Sequence, residues 1–183
     1  MLMLSIGKER DGPIKDTRRN IVERNHFVVH LPHAEQIERV NESSRELPAS
    51  DSEIIEAQQL PTTLLGTFTL PRLLDCRIAL ACTRYQITEI GPQGQALILD
   101  LIESIYIDDT IVRQSEKGVH IDASQLDPLS CLGGEEYWLL GLVKRLPRPR
   151  QVCEISHATC RYSLLPHGSG MWRISTVRDA STA

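Results

Sequence analysis

Apolar residues at Leu2, Met3, Leu4 and Ile6 form a short run that stops at Gly7, and a loop carrying Gly12 and Pro13 leads to Lys15-Asp16-Thr17. This pattern predicts a strand, a loop and a helix N-terminus. Residues 18 to 25 read as the short helix, with charged flanks, and Phe27 to Leu31 as a brief buried strand. Ala34, Ile37 and Val40 have helical spacing; a polar loop from Glu42 to Pro48 follows, and a second short helix is expected from Asp51, with Ile54 and Ile55 turned inward.

After the connection from Pro61 to Gly66 the pattern changes. Residues 78 to 89 alternate in size and polarity after an apolar start, Gly91-Pro92-Gln93-Gly94 makes a turn, and Ala96 to Ile107 returns as a long strand. That is a hairpin at the heart of a barrel. Leu97, Ile98, Leu99, Leu101 and Ile102 place apolar groups on both faces of the return strand, so one face should meet the barrel interior and the other a helix or a second subunit. Asp100 interrupts it. A buried, unpartnered carboxylate is costly, so Asp100 must face water, find a cation or disturb the barrel.

The 183 residues suffice for one domain with a real core but not comfortably for two. Aromatic residues make up 4% of the chain, so aliphatic side chains must build that core. The net charge of −4, with no dense basic run apart from Lys144 to Arg150, argues against a nucleic-acid binder. No apolar run approaches a membrane span, and Met1-Leu2-Met3-Leu4 is too short for a signal-peptide core, so a cytoplasmic protein is expected. Five cysteines without a CxxC pair fit reduced thiols better than a disulfide framework.

The first strand–loop–helix unit is the best candidate for chemistry. A helix N-terminus carries unpaired N–H groups and partial positive charge, and so accepts an anion. Lys15 would add a full charge, and the hydroxyls of Thr17 and Ser5 could donate to phosphate oxygens. Asp16 cannot contact phosphate favourably and would cap the helix, brace the loop or meet a sugar hydroxyl. The alternative is that Asp16 or Thr17 only caps a surface helix and Lys15 is solvated. Elsewhere, Asp108-Asp109 would point to opposite faces of a strand and read as a turn. His120 and Asp122 read as edge residues, and His30 as a packed or hydrogen-bonded side chain. No catalytic acid/base pair or nucleophile triad emerges.

Ser5-Ile6-Gly7, Lys15-Asp16-Thr17 and Asn20-Ile21, followed by Phe27-Val28-Val29, resemble the flavin reductase-like family with the FMN-binding split-barrel fold. The likeness continues at Asn41 to Ser44, at Pro71-Arg72 leading into the Cys82 strand, and at Pro128 to Gly134 with Tyr137. The resemblance implies a mainly β, Greek-key-like split barrel with a few short helices. It also implies bound FMN, flavin reduction by NAD(P)H, a homodimer and a possible partner oxygenase. Ser5, Ile6, Lys15, Asp16 and Thr17 become the candidate cofactor contacts, joined by Asn41 and Ser44 through the resemblance alone.

Several positions depart from the family pattern. His30 stands where asparagine is more common, Asp100 where glycine is, Cys131 where arginine is, and Glu53-Ile54 replaces an acidic-Phe pair. Cys131 reads as a small packing residue. Family members normally carry preceding strands that contact flavin, so a truncated version or an upstream true start is expected. These departures sustain a second reading, a non-catalytic split-barrel homologue with weak or no flavin binding. The likeness covers roughly residues 2 to 150. Residues 151 to 183 are expected to be a divergent, irregular extension with a disordered end; Cys153, His157, Cys160 and His167 are too loosely spaced for a structural zinc site.

Overall fold

The computed structural model describes residues 1–8, 12–44, 58–115, 118–144 and 146, and the backbone of two late strands, 162–166 and 171–176. In chain order the elements begin with β1 (Leu2–Ile6), α1 (Asp16–Arg24) and β2 (His26–Leu31). A 3-10 turn (Ala34–Gln36) then runs into α2 (Ile37–Glu42), followed by β3 (Thr62–Thr63) and β4 (Arg72–Leu73). Next come β5 (Ile78–Ile90), β6 (Gln95–Ile107), a 3-10 turn (Asp109–Ile111), β7 (Val112–Ser115), β8 (Gly118–Ile121) and α3 (Ala123–Leu126). The series closes with β9 (Ser130–Gly133), β10 (Glu136–Trp138), β11 (Tyr162–Pro166) and β12 (Met171–Thr176). The expected helix from Asp51, with Glu53, Ile54 and Ile55, and the Cys153, His157, Cys160 and His167 cluster lie outside the described residues.

The architecture is mainly β, a curled antiparallel sheet with a few short helices. Its spine is the β5–β6 hairpin, whose turn holds Gly91 and Gly94 at positive φ. Strand β2 pairs along β5 from His26↔Thr83 to Leu31↔Ile78. Strand β1 pairs with the other edge of β6, from Leu2↔Asp100 to Ile6↔Ala96. Further along that edge, β12 pairs at Met171↔Tyr106 and Trp172↔Ile105 and carries β11 beside it. The expectation of an irregular extension is therefore corrected for these two segments. They form a hairpin because the part of β6 beyond β1 still offers unpaired backbone groups.

Alternation along the strands builds two cores. Ala96 and Ile98 of β6 pack with Ile21 of α1, and Leu4, Ile6, Phe27 and Ile87 surround them. At the other end Ile78, Ile107, Ile111 and Leu126 form a second cluster. Strand β1 shows the period plainly: Leu2, Leu4 and Ile6 are half-buried, whereas Met3 and Ser5 are exposed. Strand β2, expected to be buried, is half-buried along its whole length, because β5 covers it on one edge and a cavity adjoins it. Asp108-Asp109 do form a turn, in which the Asp108 carboxylate accepts the Thr110 N–H at 2.8 Å.

Asp100 continues the inward face of Ala96 and Ile98 and is fully buried. Neither carboxylate oxygen has a hydrogen-bond partner among the described residues. Arg84 stands opposite in the β5 register, and the register shifts between Arg84 and Gln86, so a bulge lies across from Asp100. Of the three expected outcomes, exposure is ruled out, and the barrel is locally disturbed where the carboxyl sits. Burial raises the Asp100 pKa above its ordinary value of 3.8, opposed by the Arg84 charge.

A carboxyl whose folded pKa is raised binds protons more tightly in the native state, so it costs stability as pH rises from the unfolded value through the folded one. Asp100→Leu should therefore stabilise the protein at pH 7 by about 1–3 kcal/mol, the scale of burying an unpaired polar group. Urea unfolding at pH 4 and pH 7 checks this. The variant should gain less at pH 4 than at pH 7.

Candidate functional site

The sheet leaves β1 and β2 on opposite edges of the hairpin, and a cavity of about 510 Å³ is lined by residues of both. Leu4 contributes from β1, Thr17, Asn20, Ile21 and Arg24 from α1, and His26 to His30 from β2. Thr62 and the segment Leu70 to Leu73 complete it. The volume is in the range of cofactor-sized pockets. Its lining contains Arg24 and Arg72 and, among the described residues, no aspartate or glutamate. Apolar walls with two guanidinium groups suit a ligand that is partly planar and partly anionic.

Helix α1 is held over the cavity by named contacts. Buried Arg18 donates from Nη1 to the Gly94 carbonyl at 2.9 Å and pairs through Nη2 with Glu89, tying the helix to the hairpin turn. Asn25 ends the helix in the left-handed conformation, with φ of 64°, and its carbonyl accepts the Arg84 N–H at 3.0 Å. With the helix fixed in this way, Thr17, Asn20 and Arg24 fall at i, i+3 and i+7 on the face that meets the cavity.

Arg72 is the second buried cation. Its guanidinium carbon lies 3.4 Å from the centroid of the Tyr106 ring, and Nη1 donates to the carbonyls of Leu73 and Leu74, each at 3.0 Å. Its Nε–H has no protein partner among the described residues. Next to it, the Leu73 N–H donates to His30 Nε2 at 3.0 Å. That bond requires an unprotonated Nε2, so the proton of the neutral ring is on Nδ1. Burial and then the Arg72 charge push the His30 pKa down to about 4. His30, Val28 and Leu73 also line a second cavity of about 270 Å³, together with Gln36, Arg39 and Cys76.

The residues singled out in the sequence are only partly brought together. Thr17 lines the larger cavity. Ile6 packs against the Ile21, Ala96 and Ile98 cluster. Ser5 is on the opposite face of β1 from Leu4, and its hydroxyl accepts the Gln95 amide at 2.8 Å. Lys15 is exposed at the N-cap position, and neither Asp16 nor Thr17 caps the helix, which has no side-chain cap. Asp16 is instead the first helical residue and pairs with Arg19. Asn41 accepts the Tyr137 hydroxyl at 3.2 Å, so the second and last family-like segments do meet, and the Ser44 hydroxyl turns back to the Asn41 carbonyl at 2.6 Å. Cys131 is exposed, not packed, because its hairpin stands away from the core. Asn20, Arg24 and Arg72 were not foreseen as site residues. The i, i+3, i+7 spacing of Thr17, Asn20 and Arg24 is the signal that could have found two of them.

Comparison with known proteins places this geometry. The chain is 32% identical over 151 residues to an uncharacterised protein of Halalkalibacterium halodurans, covering 81% of this chain and 71% of that one. Its structure resembles component B of nitrilotriacetate monooxygenase from Bacillus cereus, with a TM-score of 0.68 and 26% identity across 79% of this chain and 70% of that chain. An FMN-binding domain of a flavin reductase-like enzyme from Shewanella baltica matches in fold, with a TM-score of 0.56 and 16% identity over 79% of this chain and 74% of that chain. The chain has the split-barrel fold of flavin reductase-like proteins. No family model matches the sequence. The flavin reductase-like fold thus accounts for the hairpin spine, and the cavity between β1 and β2 is this protein's candidate ligand site.

The His30 pKa has a measurable consequence. A histidine with a depressed folded pKa leaves the unfolded chain binding more protons, so its contribution to stability is present above about pH 6.5 and is lost as pH falls toward 4. Unfolding free energy should drop by about 3 kcal/mol from this residue across that window, at roughly 1.4 kcal/mol per pH unit. Denaturant titrations of the wild type and His30→Asn at pH 7 and pH 4.5 check it: the wild type should lose more than the variant.

Proposed function

We propose that this protein binds FMN and acts as a flavin reductase-like oxidoreductase, taking hydride from NAD(P)H. The observation that carries the reading is the carboxylate-free cavity between β1, α1 and β2, with Arg24 and Arg72 in its lining and Thr17 near the start of the helix. These residues fit an anionic, partly planar group. Thr17 would donate to the phosphate, with Lys15 adding charge from the exposed helix start, and Ser5 would join them if its bond to Gln95 were exchanged. Asp16, paired with Arg19, would hold the loop entry, while Asn41 and Ser44, which line neither cavity, stay candidates through the resemblance alone. When bound, FMN itself supplies the hydride chemistry, so the chain need provide no acid or base. Its own residues bind, orient and shield.

Assembly is part of the proposal. Trp138, Leu142 and Leu146 are exposed apolar groups at the end of the family-like segment. Covering them with a second copy of the chain would remove that surface from water, and we read the protein as a cytoplasmic homodimer. Among the described residues no helix is long and apolar enough to cross a membrane. The likeness to a monooxygenase component B makes a partner oxygenase part of the proposal. A second reading, a split-barrel homologue without catalysis, is favoured by one observation: Ser5 already spends its hydroxyl on Gln95, on the face of β1 away from the cavity.

Two measurements separate these readings. Purified protein should turn yellow with FMN and oxidise NADH or NADPH in its presence; failure of both leaves the non-catalytic homologue. Within the enzyme reading, Lys15→Ala should weaken FMN binding by about 1.5–3 kcal/mol, the scale of a charge-assisted contact. Isothermal titration with FMN and with riboflavin gives the check, because riboflavin, lacking phosphate, should bind both proteins alike.

A further inference from the structure

One side chain that lines both cavities has a hydrogen-bonding state fixed by its neighbours. His30 is one of three residues, with Val28 and Leu73, that line both the 510 Å³ and the 270 Å³ spaces. The Leu73 N–H occupies Nε2 at 3.0 Å and assigns the ring proton to Nδ1. No described residue accepts from Nδ1. The charged and titratable groups around the ring are Arg72, Arg24 and His26 in the larger cavity and Arg39 and Cys76 in the smaller. None of these is a carboxylate, and no hydrogen bond from Nδ1 to a described residue is formed, so the donor is left for a ligand. The adjacent Arg72 is held face to Tyr106 and by Nη1 to two carbonyls, with its Nε–H left unpaired among the described residues.

We propose that His30 is a ligand-binding residue that donates its Nδ1–H to a carbonyl oxygen or ring nitrogen of the flavin heterocycle and, as a wall of the cavity, limits how far that ring enters. The proposal rests on the FMN reading above. It goes beyond that reading by assigning the ring-recognition role to a named side chain. An asparagine amide could donate and accept in either orientation, whereas His30, held by Leu73, can only donate. The site is thereby matched to an acceptor edge. His30 shares the boundary of both cavities with Val28 and Leu73, so its ring contributes shape as well as polarity.

The test uses the full chain, labelled with nitrogen-15, and FMN as the probe. Long-range proton–nitrogen spectra should find the His30 proton on Nδ1 at neutral pH, and FMN should shift that nitrogen. His30→Leu should bind FMN about threefold to tenfold more weakly, the loss expected for one hydrogen bond, with a displaced visible absorption band. His30→Asn, which restores a donor, should recover most of the affinity. A proton on Nε2, an Nδ1 signal unmoved by FMN, or a Leu variant that matches the wild type in affinity and spectrum would each overturn the proposal. If the Leu variant does not fold, the wild-type spectra and the Asn variant decide it. Failure of the wild type to bind FMN overturns the cofactor reading and this one together, whereas binding by the wild type with an indifferent Leu variant overturns this one alone.

Discussion

The constraint on which this molecule turns is the attachment of β1 and β2 to opposite edges of a single hairpin. Strand β1 is bonded to β6 and strand β2 to β5, and no ladder joins the two directly among the described residues. Curling the β5–β6 ribbon brings their side chains to a common space, which α1 spans because it is the connection between them. The cavity therefore exists because the barrel closes there through side chains and a helix and not through backbone hydrogen bonds. The register that places Ala96 and Ile98 inward fixes this arrangement, since a one-residue slip would exchange the inward and outward faces of β6.

Charge is then distributed over that frame with some economy. Arg18, deeply buried, is neutralised by Glu89 and serves the fold by pinning α1 to the hairpin turn. Arg72, equally buried, has no carboxylate in hydrogen-bonding contact among the described residues; it is held by the Tyr106 π face and by two carbonyls. Its positive charge, tempered by the nearby Asp108 carboxylate that it helps hold below the usual carboxylate range, sits in the cavity wall, where the low local dielectric makes it count for more than an exposed lysine such as Lys15. Two buried arginines of similar exposure accordingly have different consequences, one structural and one electrostatic.

Much of the fold was legible in the sequence. Alternation and the glycine-containing turn disclosed the β5–β6 hairpin, and the apolar run ending at Gly7 disclosed β1, because these depend on local pattern and turn chemistry. The β11–β12 hairpin was not legible, since it joins β6 by backbone pairing to an edge that no side-chain pattern marks. The site was legible at Thr17 and only ambiguously elsewhere. Ser5 was read beside Thr17 because both flank the same loop, but the period of two along β1 turns its hydroxyl to the other face. Arg72 was visible only as part of a motif, for its role depends on Tyr106, thirty-four positions away in the chain but within 3.4 Å in the fold.

Asp100 and His30 show how one protein can bury two ionisable groups with opposite results. Both are desolvated, and desolvation favours the neutral form of each. For Asp100 the neighbouring cation, Arg84, works against burial, so the carboxyl is drawn in both directions and remains without a hydrogen bond among the described residues. For His30 the neighbouring cation, Arg72, works with burial, and the Leu73 amide supplies a bond that only the neutral ring can accept. Three effects therefore agree at His30 and conflict at Asp100. Agreement yields a side chain with one protonation state and one tautomer, which is the condition for a dependable donor in a wall shared by two cavities. Conflict yields a carboxyl that burdens the sheet at the site of its bulge, and such a group is a reservoir of stability that a single apolar substitution can release.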